Sequence, residues 1–292
     1  MTKKTGQSLK EKFVVKNNLV KAFLSEFLGT FILIALGCGS VAQAVLSRGA
    51  WGGVQMISTG FAMAVTFGVY VAGGVSGGHI NPAVTFAMCL TGKMKWIKFP
   101  IYVLAQFLGA FVGAAAVFGI NYDALMHYDD GKLSVTGINA TAHIFATYPA
   151  PYLSMINGFA DQVMSTAILL LGVFAIFDAS NIGMPKGLEP IGVGLLIILL
   201  TSSLAMNSGA AMNPARDLAP RLFTFMAGWG VEVFTAGNHF WWVPVVGPMI
   251  GGALGAGIYM LFIELHHAPP EPSHNNVPHE KYELTNMEDD RC

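Results

Sequence analysis

The sequence predicts an all-α polytopic membrane protein, with six transmembrane helices plus two re-entrant half-helices arranged as two inverted three-helix repeats. Three observations predict it. The 292 residues are 53% hydrophobic and 11% charged, with a mean hydropathy of +0.55, a balance that belongs in lipid rather than in water. Six apolar stretches approach the ~20 residues that a helix needs to cross a hydrocarbon core of about 30 Å. The tripeptide Asn-Pro-Ala occurs twice, at Asn81-Pro82-Ala83 and Asn213-Pro214-Ala215, close to half a chain apart and between long apolar runs.

The six spans are predicted over 22–46, 54–74, 99–120, 155–177, 188–206 and 241–265. The first keeps flanking lysines, contains Glu26 and lacks a small-residue cleavage site after a short apolar core. It therefore reads as a membrane helix and not as a removed signal peptide. Lys3, Lys4, Lys10, Lys12, Lys16 and Lys21 precede it; Lys93, Lys95, Lys98, Lys186, Lys281 and Arg291 fall on the same side of the even-numbered path. Only Arg48, Lys132, Arg216 and Arg221 fall on the other, so both termini are expected to be cytoplasmic. The chain divides into an N-terminal segment (1–21), a membrane domain (22–265) and a tail (266–292). Repeat one covers about 22–120, an outer connection 121–154, and repeat two 155–265. The sequon at Asn139, completed by Thr141, lies in that connection, on the side where glycosylation is possible.

Net charge of −1 argues against a nucleic-acid partner. Cys38, Cys89 and Cys292 are scattered and make neither a disulfide framework nor a metal site. His266, His267, His274 and His279 are dispersed among prolines in a polar tail that reads as solvated rather than metal-binding, so neither cofactor nor metal is expected.

Aligning the halves sets 26–30 (Glu-Phe-Leu-Gly-Thr) against 162–166 (Gln-Val-Met-Ser-Thr), and 76–84 against 208–216. It also sets 109–113, beginning at Gly109, against 251–255, beginning at Gly251. Three spans per repeat is an odd count, so the second copy enters the membrane upside down and the two Asn-Pro-Ala loops approach from opposite faces. Inverted repeats place the functional site near the midplane, where broken helices meet. Pro after Asn is the expected first residue of a helix, with Asn as its cap. The segments 83–90 and 215–225 are too short to span, so each reads as a half-helix. Their glycine- and serine-rich approaches, 73–78 and 208–211, must be enclosed by protein or line water, because exposed backbone at that depth is unpaired. Enclosed water means a pore. The glycines at 109–113 and 251–255 read as close helix crossings.

These motifs resemble the aquaporin superfamily, over about 22–265. Asp217 directly after Arg216, Arg221 four residues later and Pro244 at the start of the last span resemble its aquaglyceroporin subgroup. The stretches 75–80 and 143–153 are similar to the branch passing a broad range of neutral solutes. The resemblance implies one pore per chain, a homotetramer, a plasma-membrane location, and passive passage of water, glycerol, urea and other small uncharged solutes without ions or protons.

On these residues, the half-helix N-termini at Asn81 and Asn213 bring about half a positive charge each to the midplane. The Asn amides would donate to passing oxygens, while carbonyls along Gly77, Gly78, His79 and Ile80 and along Gly209, Ala210, Ala211 and Met212 accept. As caps alone the two asparagines would be unremarkable; their mirrored placement favours the pore. By family alignment a narrower outer ring falls on Phe61, Thr201, Ala210 and Arg216. Arg216 stands where repeat one has Val84, and Phe61 is expected as an apolar wall opposite it. Water-selective relatives typically carry His in place of Thr201, and many glycerol channels an aromatic in place of Ala210, so the ring should be wide, with the Thr201 hydroxyl narrowing it slightly. Glu26 is costly in a span unless paired; the family places it beneath the first loop, and its counterpart is Gln162. Asp161 beside Gln162 either compensates for the lost charge or faces the outer boundary. His79 reads as loop-bracing through its carbonyl, with pH sensing by its ring as the alternative.

Two rival classes are weaker. A secondary transporter would need an ion-coupling carboxylate, for which only Glu26 and Asp161 are candidates. An intramembrane enzyme would need a nucleophile and base on the facing loops, and no catalytic constellation presents itself there.

Overall fold

The computed structural model describes residues 13–267. Lys3, Lys4, Lys10 and Lys12, and the tail from 268 with His274, His279, Lys281, Arg291 and Cys292, lie outside the described residues. Six helices among those described are long and apolar enough to cross a membrane: α1 (Asn18–Leu46), α2 (Val54–Ser76), α4 (Phe99–Ile120), α6 (Met155–Phe177), α7 (Glu189–Ser208) and α10 (Val243–Phe262). The half-helices are α3 (Pro82–Leu90) and α8 (Pro214–Thr224); α5 (Tyr122–Tyr128) and α9 (Glu232–His239) lie in connections.

Most span boundaries differ from the sequence expectation, for local reasons. α1 begins at Asn18 because the Asn17 Oδ1 caps it, accepting from Leu19 N at 2.8 Å; it therefore takes in the end of the predicted N-terminal segment. α2 continues through Gly73 and Gly74 to Ser76, and α7 continues to Ser208. Each stops at a left-handed glycine, Gly77 (φ 94°) and Gly209 (φ 75°), whose N–H closes the last turn on Gly73 O at 3.0 Å and Ala205 O at 2.8 Å. The last span is regular only over Val243–Phe262, flanked by 3-10 turns.

The two repeats pack alike. α1 lies against α2 and α4, and α6 against α7 and α10. Gly109 sits where any Cβ would meet the Phe27 carbonyl, and its aligned partner Gly251 where one would meet the Val163 carbonyl. Glycine at both positions lets the third span of each repeat touch the backbone of the first. Each half-helix also packs on the third span of the opposite repeat, α3 on α10 and α8 on α4, which interlocks the halves. Leu36, Phe67, Leu104, Met164, Leu195 and Leu254 are exposed, one on each span, as expected where the solvent outside is hydrocarbon. The connection 121–154 is not simply a surface loop: Ala142, Ile144, Phe145 and Ala146 are fully buried.

Candidate functional site

The two Asn-Pro-Ala loops meet inside the molecule in a mirrored arrangement. Asn81 caps α3, its Oδ1 accepting from Ala83 N at 2.8 Å; Asn213 caps α8, accepting from Ala215 N at 3.0 Å and Arg216 N at 3.2 Å. Pro82 and Pro214 open the helices, where a missing N–H costs nothing. Across the junction Asn81 Nδ2 donates to Met212 O at 2.9 Å and Asn213 Nδ2 to Ile80 O at 2.9 Å. One N–H of each amide is thus committed to the opposing loop, leaving one free. The carbonyls of Ile80 and Met212 are correspondingly engaged with protein, a limit that sequence reasoning did not anticipate for two of its expected acceptors.

That geometry requires unusual backbone. Ile80 (φ 43°), Ala210 (φ 44°) and Met212 (φ 50°) all lie in the left-handed region, which is particularly unfavourable for a β-branched residue such as Ile and costs on the order of 1–3 kcal/mol per residue. The loops are braced from behind. Glu26, fully buried, accepts at Oε1 from Ser76 Oγ (2.5 Å) and His79 N (2.9 Å), and at Oε2 from Ile80 N (2.7 Å) and Gln106 Nε2 (2.8 Å). Gln162 supports the second loop with less: Oε1 accepts from Met212 N at 3.2 Å, while Nε2 donates to Ser208 Oγ at 2.8 Å. The His79 ring lies 3.2 Å from the Thr85 hydroxyl, so it too is tied into the wall.

A cavity of about 610 Å³ runs past both asparagines. Its lining includes Val54, Ile57 and Asn207 at the end near the 121–154 connection, and Met88, Val173 and Phe177 at the other. It is walled by Gly77, Gly78, His79, Ile80, Gly209, Ala210, Ala211 and Met212, and Phe61, Thr201 and Arg216 join Ala210 along it. Pro82, Ala83, Pro214 and Ala215 are buried behind the lining.

Arg216 is nearly buried, donates from Nη1 to Phe145 O at 2.8 Å, and lies with Cζ 4.4 Å from the Phe61 ring centroid. Phe61 is therefore stacked on the guanidinium instead of standing opposite it, as expected from sequence; the cation–π contact fixes the charge in place. Arg216 has no ion-pair partner among the described residues, so its charge acts on the lumen. Thr201 Oγ1 donates to Ile197 O at 2.7 Å on its own helix, leaving its oxygen to the cavity as an acceptor only.

Asp217 and Arg221 do not line the cavity. They form a buried pair, Oδ1 to Nε at 2.9 Å and to Nη2 at 2.8 Å. Asp217 Oδ2 accepts from Thr147 N (2.7 Å) and Thr147 Oγ1 (2.5 Å), and Arg221 donates to Val233 O and Thr147 O while its Cζ lies 4.5 Å from the Tyr148 ring centroid. The pair clamps the inward fold of the connection, which presents Phe145 O to Arg216. Phe145, Thr147 and Gln106 are among the site residues that sequence reasoning missed; a carbonyl acceptor presented by an irregular segment leaves no periodic trace. Pro244 is buried in the first turn of α10. Asn139 is half-buried, its Nδ2 donating to Asp129 Oδ1 at 2.8 Å, and Thr141 is fully buried.

At the far end Asp178 accepts from the Tyr259 hydroxyl at 2.8 Å and lies 2.8 Å from His267 Nε2. Desolvation alone would raise its carboxyl. The Tyr259 hydrogen bond, the Ser180 and Asn181 N–H groups and His267 outweigh it and hold the group below the usual carboxylate range.

Comparison with known proteins decides the family. Residues 13–259 match the major intrinsic protein family. The chain belongs to that family. It is 66% identical to human Aquaporin-9 over 96% of each chain, and 50% identical to human Aquaporin-10 over 90% of this chain and 88% of that one. The stretches 75–80 and 143–153 had pointed within the subgroup to aquaporin nine. Its fold superposes on the X-ray structure of the aquaglyceroporin from Plasmodium falciparum with a TM-score of 0.75 and 32% identity, covering 82% of this chain and 95% of that one. The protein is a multi-pass membrane channel for small neutral solutes, among them water, glycerol and urea, and not an enzyme.

Proposed function

We propose that the channel works in the plasma membrane as a homotetramer with one wide pore per subunit and both termini cytoplasmic, and that it excludes ions and protons. The cavity lined by Arg216 and both asparagines supports the pore part of this reading; membership of the family supports the assembly and location. Arg216 and the free N–H groups of Asn81 and Asn213 donate to solute oxygens; carbonyls of Gly77, Gly78, His79, Gly209, Ala210 and Ala211 accept from solute hydroxyls. The Arg216 charge and the two converging half-helix N-termini oppose cations. Phe61 offers a carbon backbone an apolar face beside that charge, while the small Ala210 leaves room for it. Lys93, Lys95 and Lys98 on the face away from the 121–154 connection favour that face as cytoplasmic. A glycan on Asn139 would have to be attached before the Asp129 contact closes.

Ala210→Phe tests the ring. Glycerol and urea permeability should fall more than water permeability; equal loss of all three would overturn the assignment. Mass measured in a native-like detergent or nanodisc should correspond to four chains, and a monomer would contradict the assembly.

A further inference from the structure

The internal alignment that pairs Glu26 with Gln162 also pairs Ser25 with Asp161 and Ser76 with Ser208. Each repeat thus keeps one carboxylate beside its loop serine, displaced by one residue between repeats. In repeat one the Ser76 hydroxyl donates directly to Glu26. In repeat two the Ser208 hydroxyl donates to Asp161 Oδ2 at 2.6 Å and accepts from Gln162 Nε2 at 2.8 Å. Gln162 Oε1 then receives Met212 N, and Met212 O receives Asn81 Nδ2.

We infer that Asp161 is the positioning residue of the second pore loop: through Ser208, its carboxylate fixes which way the Gln162 amide points, and so holds Met212. The argument is one of hydrogen-bond polarity. A hydroxyl has one proton, and an ionised carboxylate only accepts. Asp161 accepts the hydrogen bond of the Ser208 hydroxyl, which obliges Ser208 to accept from Gln162 and turns Oε1 toward the Met212 N–H. With a neutral amide at 161, Ser208 is free to donate to Gln162 instead, and the flipped amide sets an N–H against the Met212 N–H. A buried carboxylate at 162 would repeat the Glu26 solution; Asp161 achieves the same polarity from the edge of a recess of about 360 Å³, shared with Asn157, Leu204 and Asn207, where its charge is cheaper to solvate.

The inference rests on residues 209–213 forming pore wall, and its test separates the two claims: amide exchange reads the loop, and wild-type solute flux reads the channel. Asp161→Asn should accelerate hydrogen–deuterium exchange across 209–213 about tenfold in the full chain in proteoliposomes, as expected when a loop loses a hydrogen bond. Adding Gln162→Glu, which restores an acceptor-only group one residue away, should return exchange to within about twofold of wild type, with glycerol permeability recovering in parallel. Unchanged exchange in Asp161→Asn, or a double variant as fast as the single one, would overturn the proposal. If Asp161→Asn yields no folded protein, recovery of folded channel by the second change supports it and failure to recover overturns it.

Discussion

The two halves of the channel share their loop geometry and differ in how they distribute charge. Repeat one keeps its charge behind the loop: Glu26 is buried against the N–H groups of His79 and Ile80, and its half-helix carries Val84, Thr85 and Cys89, all uncharged. Repeat two puts Gln162 directly behind the loop, with the carboxylate one residue aside at Asp161, and adds Arg216, Asp217 and Arg221 at the aligned positions of its half-helix. Yet both loops turn at a left-handed glycine, and both strain the residue before Asn (Ile80, Met212) into the same region. The backbone geometry is the shared requirement. Charge is the free variable, and the repeat that also carries it on the half-helix is the one that meets the solute with a guanidinium.

The comparison can be broken most severely at the clamp. Asp217→Asn leaves Arg221 buried without its partner and should destabilise the channel by about 3–5 kcal/mol, measured as a large drop in thermal unfolding temperature in detergent; the aligned Thr85→Val should cost far less. Next, Glu26→Gln makes the loops alike, but a Gln amide offers one acceptor oxygen where Ser76, His79 N and Ile80 N all donate. The expected cost is roughly 2–3 kcal/mol, with faster amide exchange over 77–81 and lower glycerol flux. Arg216→Val, which copies Val84, should keep the fold and raise passage of solutes larger than glycerol, with cation leak increasing on the order of tenfold as a fixed charge leaves a low-dielectric wall; ion-flux assays on vesicles check it. The smallest effect belongs to Asp178→Asn. The depressed folded value of Asp178 gives stability that is present above the ordinary carboxylate range and lost as pH falls through that lower value. The variant should therefore match wild type once pH lies below that depressed value and fall slightly below it at pH 7, within about 1 kcal/mol for a partly exposed group.

Much of this was legible in the sequence because the relevant physics is local. Asn-Pro announces a capped helix start, and its duplication with an odd number of spans between the copies implies the inverted meeting of loops; the glycines that stop the two preceding spans were not placed from sequence. Gly109 and Gly251 marked the tight crossings. The rest depends on contacts between distant segments. Nothing in 142–147 signals that Phe145 lends a carbonyl to Arg216 or that Thr147 bonds Asp217, because irregular backbone has no period. The stacking of Phe61 on Arg216 likewise depends on the distance between helices that only the folded chain sets. Sequence also left Asp161 between two readings, compensating charge or boundary residue, because its approach to Ser208 at 2.6 Å exists only in the folded chain.

The most direct test of the central claim is stopped-flow light scattering on proteoliposomes containing the purified chain, comparing water, glycerol and urea with empty vesicles and no ion gradient. The account predicts fast, unsaturating glycerol and urea flux with a low activation energy. Fast water flux without glycerol or urea would contradict the wide ring of Phe61, Thr201, Ala210 and Arg216, and solute flux requiring a Na⁺ or H⁺ gradient would contradict passive conduction.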